Sequence, residues 1–185
     1  MKLCVYCGSS IGNSNVYTKA ARQLANAMIE RNIDLVYGGA NLGLMKIIAD
    51  TILEGGGHVT GVIPELLAEE RAHSDLSELH VVGSMHERKT KMFELSDAFV
   101  ALPGGYGTIE EITEQLTWAQ LGLHAYPCGM LNVNGYYDQF LQFLDNAAKN
   151  GFIAPPHRNM LIVAQTPNDL FEQFGKFVAP KELKQ

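Results

Sequence analysis

Apolar residues along this chain fall into short β-rich runs separated by longer stretches with helical spacing. The runs predict strands near Leu3–Cys7, Ile33–Tyr37, His58–Ile63, Glu78–Val82, Ala98–Leu102, Cys128–Asn132 and Met160–Ala164. The spacing between them predicts helices near Asn15–Glu30, Leu42–Glu54, Glu87–Leu95, Ile109–Leu121, Tyr137–Asn150 and Asn168–Phe177, with a weaker helical piece near Glu65–Glu70. Strand–helix alternation implies βαβ units and therefore a parallel sheet covered by helices on both faces. Right-handed crossovers make that sheet doubly wound and Rossmann-like, an α/β fold. No repeat, linker or low-complexity tract interrupts it. Residues 1–180 are expected to form one domain, and residues 181–185 a polar, frayed tail.

Composition narrows the class. Hydrophobic residues make up 46% of the 185 positions, enough for a full core, and charged residues only 18%, too few for a disordered chain. The formal charge of −6 favours neither nucleic acid nor an anionic membrane as partner. No apolar run approaches the length of a membrane span, and the short N-terminal run lacks a signal-peptide pattern. Three cysteines, an odd number, argue against a secreted disulfide framework and for the cytoplasm.

Ligands of such sheets bind beyond the carboxyl ends of the strands. Three predicted strand ends run into small, polar turns: Cys7-Gly8-Ser9-Ser10, Gly38-Gly39-Ala40-Asn41-Leu42-Gly43, and Pro103-Gly104-Gly105-Tyr106-Gly107-Thr108. One glycine turn is ordinary chain reversal, but three on one sheet edge point to a shared nucleotide crevice. The third turn is the most informative. Its glycines admit backbone N–H groups to a ligand, and the following helix offers a dipole end suited to phosphate.

Several sharper readings fail on the residues. No Gly-Lys-Ser/Thr follows a glycine at Walker spacing. Gly38, Ala40 and Gly43 approximate a dinucleotide fingerprint, but no acid stands at the next strand end to hold a ribose. Cys4 and Cys7 lie three apart in a strand, so they point to opposite faces and read as core. His86-Glu87 begins like a zinc motif, but position 90 is Thr, and the remaining histidines are scattered; no metal is expected.

Two segments keep two readings each. Thr108-Ile109-Glu110-Glu111 fits a capping box with Thr108 as N-cap, which would make Glu111 a backbone partner; the same geometry also holds a carboxylate beside the turn. Glu110 is rotated about 100° away on a helix, so the two acids do not face one ligand equally. Met85-His86-Glu87-Arg88-Lys89, with Lys91, is either a solvated basic turn or a phosphate clamp, since Arg offers a bidentate fork.

Pro103-Gly104-Gly105-x-Gly107-Thr108-x-x-Glu111 and Met85-His86-Glu87-Arg88-Lys89 together resemble the two ordered motifs of the Lonely guy (LOG) family. Cys7–Ser10, Gly38–Met45, Gly61-Val62-Ile63-Pro64 and Thr117-Trp118-Ala119-Gln120-Leu121-Gly122 are similar to it as well, so the resemblance covers nearly the whole chain. One departure is Ala40, where many relatives carry a third glycine. The resemblance implies a homodimeric cytokinin riboside 5′-monophosphate phosphoribohydrolase without metal or organic cofactor. Such an enzyme cuts the N-glycosidic bond of N6-modified AMP, and in many cases of AMP itself, releasing free base and ribose 5-phosphate. It further implies catalytic roles for Arg88 and Glu111 and anion binding by Lys89. Substrate contacts would come from Gly8, Ser9, Gly38, Gly39, Gly104, Gly105, Tyr106, Gly107, Thr108, Ile109, Glu110 and Thr117, with Glu70 matching an acidic base- or ribose-binding position. An older label for the family, lysine decarboxylase, finds no pyridoxal phosphate motif here. The competing class is a non-catalytic carrier of a nucleotide or phosphorylated cofactor, because related folds bind such molecules without hydrolysing them.

Overall fold

The computed structural model describes residues 1–180; the expected polar tail lies outside the described residues. Its elements run β1 (Lys2–Tyr6), α1 (Asn15–Ile29), β2 (Asp34–Tyr37), α2 (Gly43–Glu54), β3 (Val59–Pro64), α3 (Glu65–Arg71), β4 (Glu78–Val82), α4 (Met85–Glu94), β5 (Ala98–Ala101), α5 (Tyr106–Gln120), β6 (Cys128–Leu131), α6 (Asp138–Lys149), α7 (Pro155–Arg158), β7 (Leu161–Ala164) and α8 (Pro167–Lys176). All seven strands are parallel, in the order β4-β3-β2-β1-β5-β6-β7. The chain winds outward from β1 to β4, then returns to the other side of β1 with β5. Loops after β1 and β5 therefore diverge, and a crevice opens between them at the carboxyl edge.

Side-chain alternation along the strands builds two cores. Leu3, Val5 and Cys7 face one side, with Leu24 and Met28 of α1 and Ile48 and Ile52 of α2. Cys4 and Tyr6 face the other, with Met92 of α4 and Ile112 of α5. The two cysteines thus lie on opposite faces of the sheet, as their spacing requires. Both thiols are buried, and burial pushes the Cys4 thiol up to about 12 and the Cys7 thiol higher still. Neither is a thiolate at neutral pH.

Most helix boundaries fall within two residues of the predicted ones, the usual scatter of frayed ends. The exception matters. α5 begins at Tyr106, with Gly105 as its N-cap and no side-chain cap bond. Thr108 is therefore not an N-cap, and Glu111 lies in the second turn rather than the first. The capping-box reading is corrected: the glycine turn feeds directly into the helix, so its last residues are already helical. The reciprocal cap stands instead at α4. Glu87 N–H donates to Ser84 Oγ (3.1 Å) and Gly83 N–H donates to Glu87 Oε2 (2.8 Å). It draws α4 back to Met85, two residues before its predicted start.

The second turn needs its glycines selectively. Gly43 has φ +56°, and a Cβ there would collide with the Ser9–Ser10 backbone of the first turn. Ala40 is not among the positive-φ positions; it is buried and bridges to Ala72. An alanine at 40 therefore costs no left-handed strain. Gly43→Ala is expected to lower the melting temperature by at least about 4 °C, from left-handed strain of about 1–2 kcal/mol with the collision added. Calorimetry checks this; an unchanged transition would show that the two turns can part freely.

Candidate active site

The carboxyl edge of β1, β2, β3 and β5 opens into a cleft of about 320 Å³. Gly8, Ser9 and Gly38 form part of its wall, Gly105 to Thr108 another, and Arg88 and Glu111 lie between them. The first and third turns are stitched together, with Gly8 N–H donating to Pro103 O (3.1 Å). Two tyrosines just ahead of α6 brace the third turn from behind. Tyr137 donates to Leu102 O and Tyr136 to Gly104 O, both at 2.7 Å.

The chemical centre is a buried ion pair. Arg88 Nη1 donates to Glu111 Oε1 at 2.6 Å, joining α4 to α5, and each residue is less than a tenth exposed. Arg88 Nε donates to Val62 O at the end of β3 (3.1 Å). Nη2 has no protein acceptor among the described residues and lies against the Cα of Gly38, where any Cβ would strike it. Gly38 is thus a close-approach glycine: it makes room for the guanidinium. Burial pushes the Glu111 carboxyl above the ordinary carboxylate range, and the adjacent Arg88 charge pulls it only part of the way back.

A family model described as "Possible lysine decarboxylase" matches residues 45–174. A probable cytokinin riboside 5′-monophosphate phosphoribohydrolase of Oryza sativa subsp. japonica is 49% identical over 180 residues, covering 97% of this chain and 73% of the relative. A cytokinin riboside 5′-monophosphate phosphoribohydrolase of Arabidopsis thaliana is 47% identical over 182 residues, covering 98% of this chain and 85% of its own. The chain belongs to the Lonely guy family. Its fold is shared more widely. A molybdenum cofactor binding protein from Rippkaea orientalis superposes with a TM-score of 0.71, and the Moco carrier protein from Chlamydomonas reinhardtii with 0.70. Each is 19% identical and covers 95% of both chains, a likeness of fold alone.

The Lonely guy motifs distribute themselves unevenly. Gly104 lines a smaller neighbouring cleft beside Tyr17 and Tyr136. Gly39, at φ +74°, sits behind Gly38 against Val62 and Ile63. Ile109 packs toward the α4–α5 core. Lys89 and Glu110 bind each other (2.5 Å), Lys89 also reaches Glu114 (2.9 Å), and none of these three lines the cleft. Thr117 is exposed, with its hydroxyl donating to Thr113 O, and Glu70 is exposed on α3 outside the lining. The older decarboxylase label needs a lysine for a Schiff base, and no lysine is among the lining residues. Sequence reasoning missed the apolar wall of Met45, Leu67, Met85 and Met92, and it missed Arg71. Three methionines divided between α2 and α4, with a leucine from α3, leave no periodic signal. Ser84-x-x-Glu87, by contrast, was a legible cap that would have fixed where Arg88 falls.

Carbon NMR of the Glu111 carboxyl should titrate above the ordinary glutamate value of 4.5. Arg88→Met should raise the midpoint further, because the guanidinium is what favours the ionised form. A midpoint at or below 4.5 in the intact protein would contradict burial as the dominant cause.

Proposed function

We propose that this protein is an N-glycosyl hydrolase acting on nucleoside 5′-monophosphates. It takes N6-modified adenosine monophosphates and AMP, and releases the free base and ribose 5-phosphate. The observation that carries the reading is the Arg88–Glu111 pair facing a glycine turn that opens a helix, in a chain about half identical to proteins named for that reaction. Backbone N–H groups of Gly105 to Thr108 receive the 5′-phosphate at the N-terminus of α5. The methionine-rich wall receives the base.

Cleavage sends the C1′–N9 bonding electrons to the base and leaves positive charge on the ribose, as in other glycoside cleavages. The Glu111 carboxylate stabilises that charge and takes a proton from the water attacking C1′. Arg88 holds the carboxylate ionised and aimed, and its free Nη2 is available to the sugar. A non-catalytic carrier shares the fold but has no use for a buried acid beside the sugar position.

Further support bears on assembly and compartment. Tyr106, which lines the cleft, is 96% exposed, and Leu66, beside the lining residue Leu67, is 91% exposed; both suit cover by a second copy in a homodimer. Three free, buried cysteines suit the reducing cytoplasm.

Glu111→Ala should lower release of adenine from AMP at least about a hundredfold while the fold survives, a size typical of lost acid–base help. Arg88→Ala should impair turnover strongly at low AMP. Chromatography of AMP incubated with each protein reads both effects. Unchanged AMP with the wild-type protein would favour the carrier, and a fully active, folded Glu111→Ala would remove the acid from the chemistry.

A further inference from the structure

The cleft contains one cation that the chemistry above leaves unused. Arg71, in the last turn of α3, lines the cleft, and its guanidinium makes no ion pair or hydrogen bond among the described residues. The other nearby cations are engaged: Arg88 with Glu111 and Val62 O, Lys89 with Glu110 and Glu114. Arg88 and Glu111 cancel in charge, so Arg71 alone supplies the net charge of the lining. A phosphate monoester brings about −1.5 to −2 at neutral pH. The turn from Pro103 to Thr108 meets it with dipoles only, since that segment holds no Lys or Arg.

The backbone that carries Arg71 is fixed to the cleft wall, although no α3 side chain is buried. Asn41 N–H donates to Arg71 O (2.8 Å), His73 N–H donates to Gly39 O (3.0 Å), and Ala72 bridges to Ala40. His73, 4% exposed, lies beneath this junction with Nε2 at 2.8 Å from Asp50 Oδ1 of α2. Its Nδ1 accepts the Asp75 N–H, so Nε2 holds the proton that faces Asp50. The arm is anchored at its root while the guanidinium remains exposed and unpartnered.

Resting on the nucleotide-hydrolase reading, we infer that Arg71 is a phosphate-binding residue: its guanidinium closes over the 5′-phosphate from the α3 side, opposite the glycine turn. The planar fork suits two phosphate oxygens. Arg71 thereby makes the protein selective for nucleoside monophosphates over nucleosides.

Calorimetric titration of ribose 5-phosphate and, separately, adenine into wild-type, Arg71→Ala and Arg71→Lys proteins tests this. Arg71→Ala should weaken ribose 5-phosphate about ten- to a hundredfold, the range of a lost charge-assisted contact. Adenine affinity should stay within about twofold, because the base wall is untouched, and Arg71→Lys should recover part of the loss. In turnover of AMP the loss should fall on KM, leaving kcat at saturation nearly unchanged. Wild-type affinity of Arg71→Ala for ribose 5-phosphate overturns the inference alone. Equal weakening of both ligands also overturns it, since that is what a collapsed α3 would do. A wild-type protein that neither binds ribose 5-phosphate nor releases adenine from AMP overturns the underlying reading with it.

Discussion

The salt bridge between Arg88 and Glu111 is the constraint around which the rest of the cleft is arranged. Neither charge tolerates burial alone, and removing one partner of such a pair typically costs about 3–5 kcal/mol. α4 and α5 are therefore interlocked: a shift of either helix separates a guanidinium from its carboxylate while both remain largely buried. The requirement reaches into neighbouring elements. Gly38 has to lack a side chain, because the guanidinium occupies the space a Cβ would take. The carbonyl of Val62 at the end of β3 has to accept from Nε. The Ser84–Glu87 cap has to start α4 where it does, or Arg88 would leave the cleft wall.

A charge pair so expensive to bury is weak evidence of stability and better evidence of use. Burial lifts the Glu111 carboxyl above the ordinary carboxylate range, and the adjacent Arg88 charge opposes that shift. The sheet contributes the setting. Reversal of strand order between β1 and β5 brings two loops together at one crevice, and their glycines allow backbone to approach backbone. Cofactor-binding proteins at 19% identity share that fold. Fold alone does not fix chemistry; that depends on the side chains α4 and α5 bring to the crevice.

Much of this was legible before any coordinates. Apolar runs between helical stretches place the inner strands, because a strand buried on both faces has to be apolar throughout; the exposed edge strand β4, Glu78–Val82, is mixed in character and follows from its place in the strand–helix alternation. The glycine turns mark the carboxyl edge, and the spacing of Cys4 and Cys7 alone assigns them to opposite faces. The short helix α7 and the true start of α5 were not legible. Thr108 and Glu111 have cap spacing, and a sequence pattern does not reveal that the turn before them already has helical geometry.

Sequence by itself determined the sheet, its helical layers and the carboxyl edge at which the cleft opens. Those properties depend on hydrophobic periodicity and on backbone freedom, and both are local. Tertiary structure decided which charges meet. Arg88 and Glu111 are 23 residues apart and pair, while the adjacent Lys89 and Glu110 turn to each other outside the cleft and Arg71 has no side-chain partner among the described residues. Whether a charge finds a partner depends on helix rotation and on distances across the sheet, quantities set by packing the whole chain and carried by no single segment.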